Sequence, residues 1–180
     1  MPAAMGNRII SAADVVNEQV GRAISWLTML MVAVTFLVVV LRYVFDMGWI
    51  AMQESVTYMH AVVFMLGAAF TLKHHGQVRV DILYRTFGPR GRAWVDLLGA
   101  LFLLLPTCLF ITGISWDYVA TSWKVLEGSR EAGGIPGVYL LKGLILVMPV
   151  LLVLQALAGI LRDALFLLGR PAAGPEGEGV

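Results

Sequence analysis

The stretch KHHGQVRVDILYRTFGPRGRAWVD, residues 73–96, carries five Lys/Arg, two aspartates and two histidines. On either side of it the chain is almost wholly Leu, Val, Ala and Phe. That contrast decides the fold. Working outward, four apolar runs stand out: Ile24–Leu41, Ser55–Leu72, Leu97–Ile114 and Val138–Leu161. The first three hold 18 residues and the last 24. At 1.5 Å per residue, about 20 residues cross the hydrocarbon of a bilayer, and about 18 is the shortest run that reads as a span. Inside lipid each backbone N–H and C=O must pair within its own segment, so each run is expected to be a helix. The composition agrees. Of the 180 residues, 59% are hydrophobic and only 14% charged, where a soluble domain carries about a quarter charged residues. The reading is an all-α integral membrane protein. Four transmembrane helices, at about 24–41, 55–72, 95–115 and 138–161, carry short amphipathic surface helices between and before them. Residues 1–168 form this one domain. Residues 169–180, rich in Gly, Pro, Ala and Glu, form a disordered tail.

The charges then orient the chain. With four spans, both termini and the 73–96 segment share a side. That side holds nine Lys/Arg, the other holds three, and Lys142 lies inside the fourth run. The positive-inside rule places both termini in the cytoplasm, so most of the charge in the quoted stretch is an orientation signal. The net charge of +1 suggests neither a nucleic-acid nor a polyacidic partner. Within the stretch, Val80, Leu83, Tyr84 and Phe87 make one apolar stripe and Asp81–Arg85 an i,i+4 pair, expected of a helix lying along the membrane surface. Ile9, Ala13, Val16, Val20 and Ile24 make a similar stripe, and Ser11-Ala12-Ala13-Asp14 fits a capping box. A short interfacial helix is expected to start there and lead into the first span.

Few residues could carry chemistry. His60 lies inside the second run; haem ligation would need a second histidine at matching depth, and none exists. The ordinary expectation is a histidine bonded across a helix interface. His74 and His75 point about 100° apart on a helix, a poor metal pair. Glu54 sits at the outer mouth of the second span, near Arg42 at the end of the first. A salt bridge or helix-end contact is expected of it. The competing reading is a proton carrier in a self-contained small exporter. Lys142 can snorkel outward as an anchor. Gln155 lies deeper and is expected to meet a partner helix. Arg79 and Asp81 suit either a partner or solvent. Cys108, the single cysteine, reads as packing. Seven-residue stripes of small and polar residues mark contact faces: Thr28, Thr35 and Arg42; Gln53, His60 and Gly67; Gly99, Pro106 and Gly113. No nucleophile–base set, phosphate loop or Cys/His cluster is visible. Neither enzyme activity nor a cofactor is expected.

Several pieces, in order, resemble the small membrane subunit of TRAP transporters, the DctQ family. They are Arg42-Tyr43-Val44-Phe45, Trp49-Ile50-Ala51-Met52-Gln53-Glu54, Gly67-Ala68-Ala69 and Val78-Arg79-Val80-Asp81. The stretch Glu127–Gly137, with Leu141-Lys142 and Leu154-Gln155, is similar to one branch of the family. Gln77 stands where that branch usually carries histidine, and Gln53-Glu54 where many members have paired acids. The resemblance implies a scaffold subunit in the bacterial inner membrane, packed against a large DctM-like membrane subunit. A DctP-like periplasmic binding protein would supply organic acids, usually carboxylates, taken up on an ion gradient, typically sodium. The substrate and ion sites would belong to the large subunit. Membrane lipids are the other expected partner. The stripes containing Thr28 and Gly67 are expected to face the large subunit, with Arg42, Glu54, His60, Gly67, Arg79, Asp81, Lys142 and Gln155 as interface or structural residues.

Overall fold

The computed structural model describes residues 2–74, 76, 84 and 86–169, with side chains from Ile10 onward. Arg79, Asp81, His75, the Asp81–Arg85 pair and the tail from 170 lie outside the described residues, as do Val80 and Leu83 of the expected surface stripe. The described residues are all helical or irregular, with four helices long and apolar enough to cross a membrane. They are α1 (Pro2–Val44), α2 (Ile50–Lys73), α3 (Pro89–Gly99) continuing through a π turn (Ala100–Leu104) into α4 (Leu105–Lys124), and α5 (Val138–Leu167). The third span is therefore one interrupted rod. The interruption has a local cause. Pro106 has no N–H to donate, and its ring crowds the carbonyl four residues back. The wider π turn just ahead of it takes up the misfit.

The bundle is built around α5. Of its apolar stretch, 28% is buried, against 6% in each of the other spans, because α5 touches all the others. The α1–α2 hairpin packs on one side of it, while α3 and α4 pack chiefly on α5 itself. Most large apolar side chains are left facing outward, among them Phe36, Phe64, Phe102, Leu109 and Phe110. That distribution suits a hydrocarbon solvent, which rewards no inward burial of Leu or Phe. The expected stripes on the first two spans meet each other. Gly67 lies against Ile24, and Gly21 against the Phe70 ring, where a methyl would overlap the ring. Further along the seam, Thr35 faces His60 across a cavity, and Val38 and Leu41 meet Gln53.

The N-terminal segment differs from expectation. No separate surface helix starts at Ser11. One 43-residue helix runs from Pro2 to Val44, about 65 Å long and twice the hydrocarbon thickness. Its buried face is also displaced. Ile10, Ala13, Asn17 and Ile24 are buried, while Val16 is 43% exposed. The reason is tertiary. Ile10 and Ala13 pack on Ala158, Leu161 and Leu165 of α5, and Asn17 finds a polar partner on the same helix.

Candidate functional site

The polar side chains within the bundle gather into two clusters, one at each end. At the N-terminal end, Asn17 of α1 and Gln155 of α5 are almost wholly enclosed, with 1% and 3% of their surface exposed. Asn17 Nδ2 donates to Gln155 Oε1 at 2.6 Å, and Gln155 Nε2 donates to Asp14 Oδ1 at 3.3 Å. Arg162, two turns further along α5, pairs with Asp14 Oδ2 at 2.8 Å. From α2, Lys73 Nζ reaches the Asp14 carbonyl at 3.1 Å and the Glu18 carboxylate at 2.7 Å. His74 Nε2 lies 3.1 Å from the same carboxylate. Three helices are thus tied at one end by bonds between charged and amide groups. Asp14 and Glu18 are one turn apart, so both project to the same side, where α2 and α5 end together. Sequence reasoning noted the depth of Gln155, and Asp14 as part of a capping box. It missed Asn17 and Arg162, whose only signal was their register with Asp14 and Gln155.

At the opposite end, Glu54 does not pair with Arg42. Its two oxygens accept from Ser129 Oγ and, at 2.7 Å, from the Ile135 N–H. Residues 53 and 54 point about 100° apart on a helix. Gln53 takes the α1 side, and Glu54 is left to face the connection between α4 and α5. Arg42 stays in the last turn of α1, where a cation suits the negative end of the helix dipole. The α4–α5 connection is closed by further bonds. Lys142 Nζ pairs with Glu127 Oε2 at 2.5 Å and lies 4.1 Å from the centre of the Tyr118 ring. Tyr139 N–H donates to the Glu127 carbonyl, and Ser129 N–H to the Ile135 carbonyl. The Lys142 hydrogen bond holds the Glu127 carboxyl below its ordinary range. Gly134 must lack a side chain, since a methyl there would overlap Ser129 Oγ and stand 2.8 Å from Glu54 Oε1. Lys142 is therefore a cross-link within the chain, where a snorkelling anchor was expected.

Beside the first cluster lies a groove of about 980 Å³, lined by α1, α2, α3 with its π turn, and α5, including Thr28, Gly67, Gly99 and the cluster residues Lys73, Gln155 and Arg162. Gly67 and Thr28, both half-buried, line this groove. Cys108 is buried at 2% exposure, in keeping with a packing role. His60 is exposed on the α1–α2 face. Among the described residues no three His, Cys, Asp or Glu side chains come together as a metal group. The arrangement can hold helices in register.

Comparison with known proteins agrees with this reading. The chain is 31% identical over 88 residues to the C4-dicarboxylate TRAP transporter small permease protein DctQ of Vibrio cholerae. The match covers 49% of this chain and 38% of that relative. No solved structure matches the chain. The family profile described as tripartite ATP-independent periplasmic transporters, DctQ component, matches residues 31–166, nearly the whole of the four-span bundle. This multi-pass membrane chain therefore belongs to the DctQ family of transport proteins.

Proposed function

We propose that this chain is the fixed frame of a three-part importer that takes up organic acids, carboxylates above all, on a sodium gradient. It sits in the bacterial inner membrane with both termini in the cytoplasm. Residues 1–168 act as one unit and the remainder as a tail. A large DctM-like subunit carries the substrate and ion sites, and a DctP-like periplasmic protein delivers the substrate. The observation that carries this reading is the family match over residues 31–166. It falls on a bundle whose two polar clusters are spent on tying helices together. The one acidic candidate for a carrier, Glu54, already accepts two hydrogen bonds from the α4–α5 connection. The name of the Vibrio cholerae relative supports a dicarboxylate as the substrate class. The nine-to-three division of cations supports the orientation.

The physical task is mechanical. A subunit that moves its substrate site across the bilayer needs a neighbour that does not move. Trp and Tyr near the span ends resist vertical displacement, and the end clusters resist splaying. Arg42, Glu54, Lys142 and Gln155 serve that rigidity.

The experiment is reconstitution. A tagged chain is expected to retrieve the large subunit from detergent-solubilised membranes. Vesicles holding both subunits are expected to take up carboxylate only with binding protein outside and an inward sodium gradient. Flux through vesicles containing this chain alone, abolished by Glu54→Gln, would overturn the reading.

A further inference from the structure

We propose that the α1–α2 face around His60 is the docking face for a transmembrane helix of the large subunit. That helix presents a hydrogen-bonding side chain (a hydroxyl, carboxamide or carboxylate) near mid-bilayer. The proposal rests on reading the chain as one part of a larger carrier, and it names the contact.

Three observations converge on this face. His60 is the eleventh of the 24 residues of α2, so it lies about 15 Å from one end and about 20 Å from the other. It is exposed, and its ring neighbour within the chain is Phe64, stacked at 6.4 Å between centroids. Among the described residues it has no hydrogen-bond partner. The nearby Thr35 hydroxyl donates to the Met31 carbonyl of its own helix at 2.7 Å, so its proton is not available. A cavity of about 580 Å³ opens beside the imidazole, lined by Met31, Thr35 and Phe36 of α1 and by Val56 and Thr57 of α2. The expected bond from His60 across a helix interface is therefore not made inside this chain.

The solvent at that depth decides what covers it. Acyl tails offer no donor or acceptor, and lipid ester groups lie at the interface, on the order of 15 Å away. Polar side chains within spans pair with other helices or face water-filled cavities. An unpaired imidazole next to hydrocarbon loses its hydration with nothing in return. Phe36 and Phe64, each 69% exposed, flank the site and supply contact area. A helix seated there would fill the cavity, cover both rings and give His60 its partner. The family is a component of a tripartite assembly, which supplies a membrane neighbour of the right kind.

The test uses the co-expressed transporter. A photoreactive residue replaces Thr57 or Phe36 on the proposed face, or Leu109 or Phe110 on α4 as controls. Crosslinks to the large subunit are expected from positions 57 and 36, and not from 109 or 110. His60→Leu is expected to weaken recovery of the large subunit about three- to thirty-fold, the range of an interhelical hydrogen bond in lipid. His60→Gln, which keeps a donor and an acceptor, is expected to retain most of it. Melting of the isolated variants checks that both fold. Crosslinks from 57 and 36 only to lipid, or to a second copy of this chain, would overturn the proposal. So would association by His60→Leu as tight as wild type. If crosslinks to the large subunit arise only from the control face, this docking face is wrong while the subunit reading stands. If no position captures the large subunit and the two never co-purify, the subunit reading itself fails.

Discussion

Gln155→Leu tests the cluster that joins α1 to α5. Leucine matches glutamine closely in size, so the change removes hydrogen bonding without opening a large cavity. Asn17 Nδ2 then loses its 2.6 Å acceptor in a site that exposes 1% of the residue. Asn17 Oδ1 already has no partner among the described residues, so the whole carboxamide becomes unsatisfied. Asp14 loses a weaker 3.3 Å donor but keeps Arg162. Leaving one buried polar group unpaired costs about 1–3 kcal/mol. For a chain of this size, with about 2–4 °C per kcal/mol, the melting temperature in detergent is expected to fall by roughly 2–12 °C. The double variant Asn17→Leu/Gln155→Leu removes both partners and places two apolar groups in contact. It is expected to recover to within about 1 kcal/mol of wild type, since replacing both members of a pair is nearly neutral. The assay is reversible unfolding in mixed micelles, followed by tryptophan fluorescence, with the four proteins of the cycle side by side. A Gln155→Leu variant within about 0.5 kcal/mol of wild type, or a double variant no better than the single, would refute the claim that this bond joins the helices.

Three further outcomes follow from the same contacts. Glu54→Gln removes the charge and leaves one acceptor oxygen where two donors, the Ser129 hydroxyl and the Ile135 N–H, are now served, so amide exchange in residues 127–137 is expected to quicken on the order of tenfold, with helix exchange unchanged. Gly21→Ala drives a methyl into the Phe70 ring, and a loss of about 1–3 kcal/mol is expected in the same unfolding assay; an unchanged midpoint would show that α1 and α2 are not so close. Glu127 has a carboxyl lowered in the folded state by Lys142, so its stabilising contribution is present above its ordinary value of 4.5 and fades as pH falls through the lowered one. Melting temperature plotted against pH is therefore expected to drop below about pH 4.5, and Glu127→Gln to flatten that drop; an equally steep profile would count against the pairing.

Much of this protein is legible in one dimension because lipid is a simple solvent. Runs such as Leu97–Ile114 have a single way to satisfy their backbone in hydrocarbon, so span number and helical class follow from length and composition alone. The placement of the four apolar runs on the four observed spans rests on that rule. Short family-like pieces in a fixed order were enough to indicate the DctQ family, because order along the chain needs no knowledge of packing.

Which polar group meets which was decided only in three dimensions. Arg42 and Glu54 are neighbours across a short loop, yet Glu54 turns to Ser129 and Ile135, residues 75 and 81 positions away. A helix rotates 100° per residue, so the choice between Gln53 and Glu54 as the face toward α1 depends on how α2 seats on α5. Likewise, periodicity alone drew the buried stripe of α1 through Val16. The stripe runs through Asn17 because Gln155 waits on the other side, and a paired amide in the seam outweighs a valine that lipid accommodates as well as protein does. In hydrocarbon, apolar patterning determines that a helix forms and crosses. The few polar contacts, unreadable without the neighbouring helices, determine how it is turned.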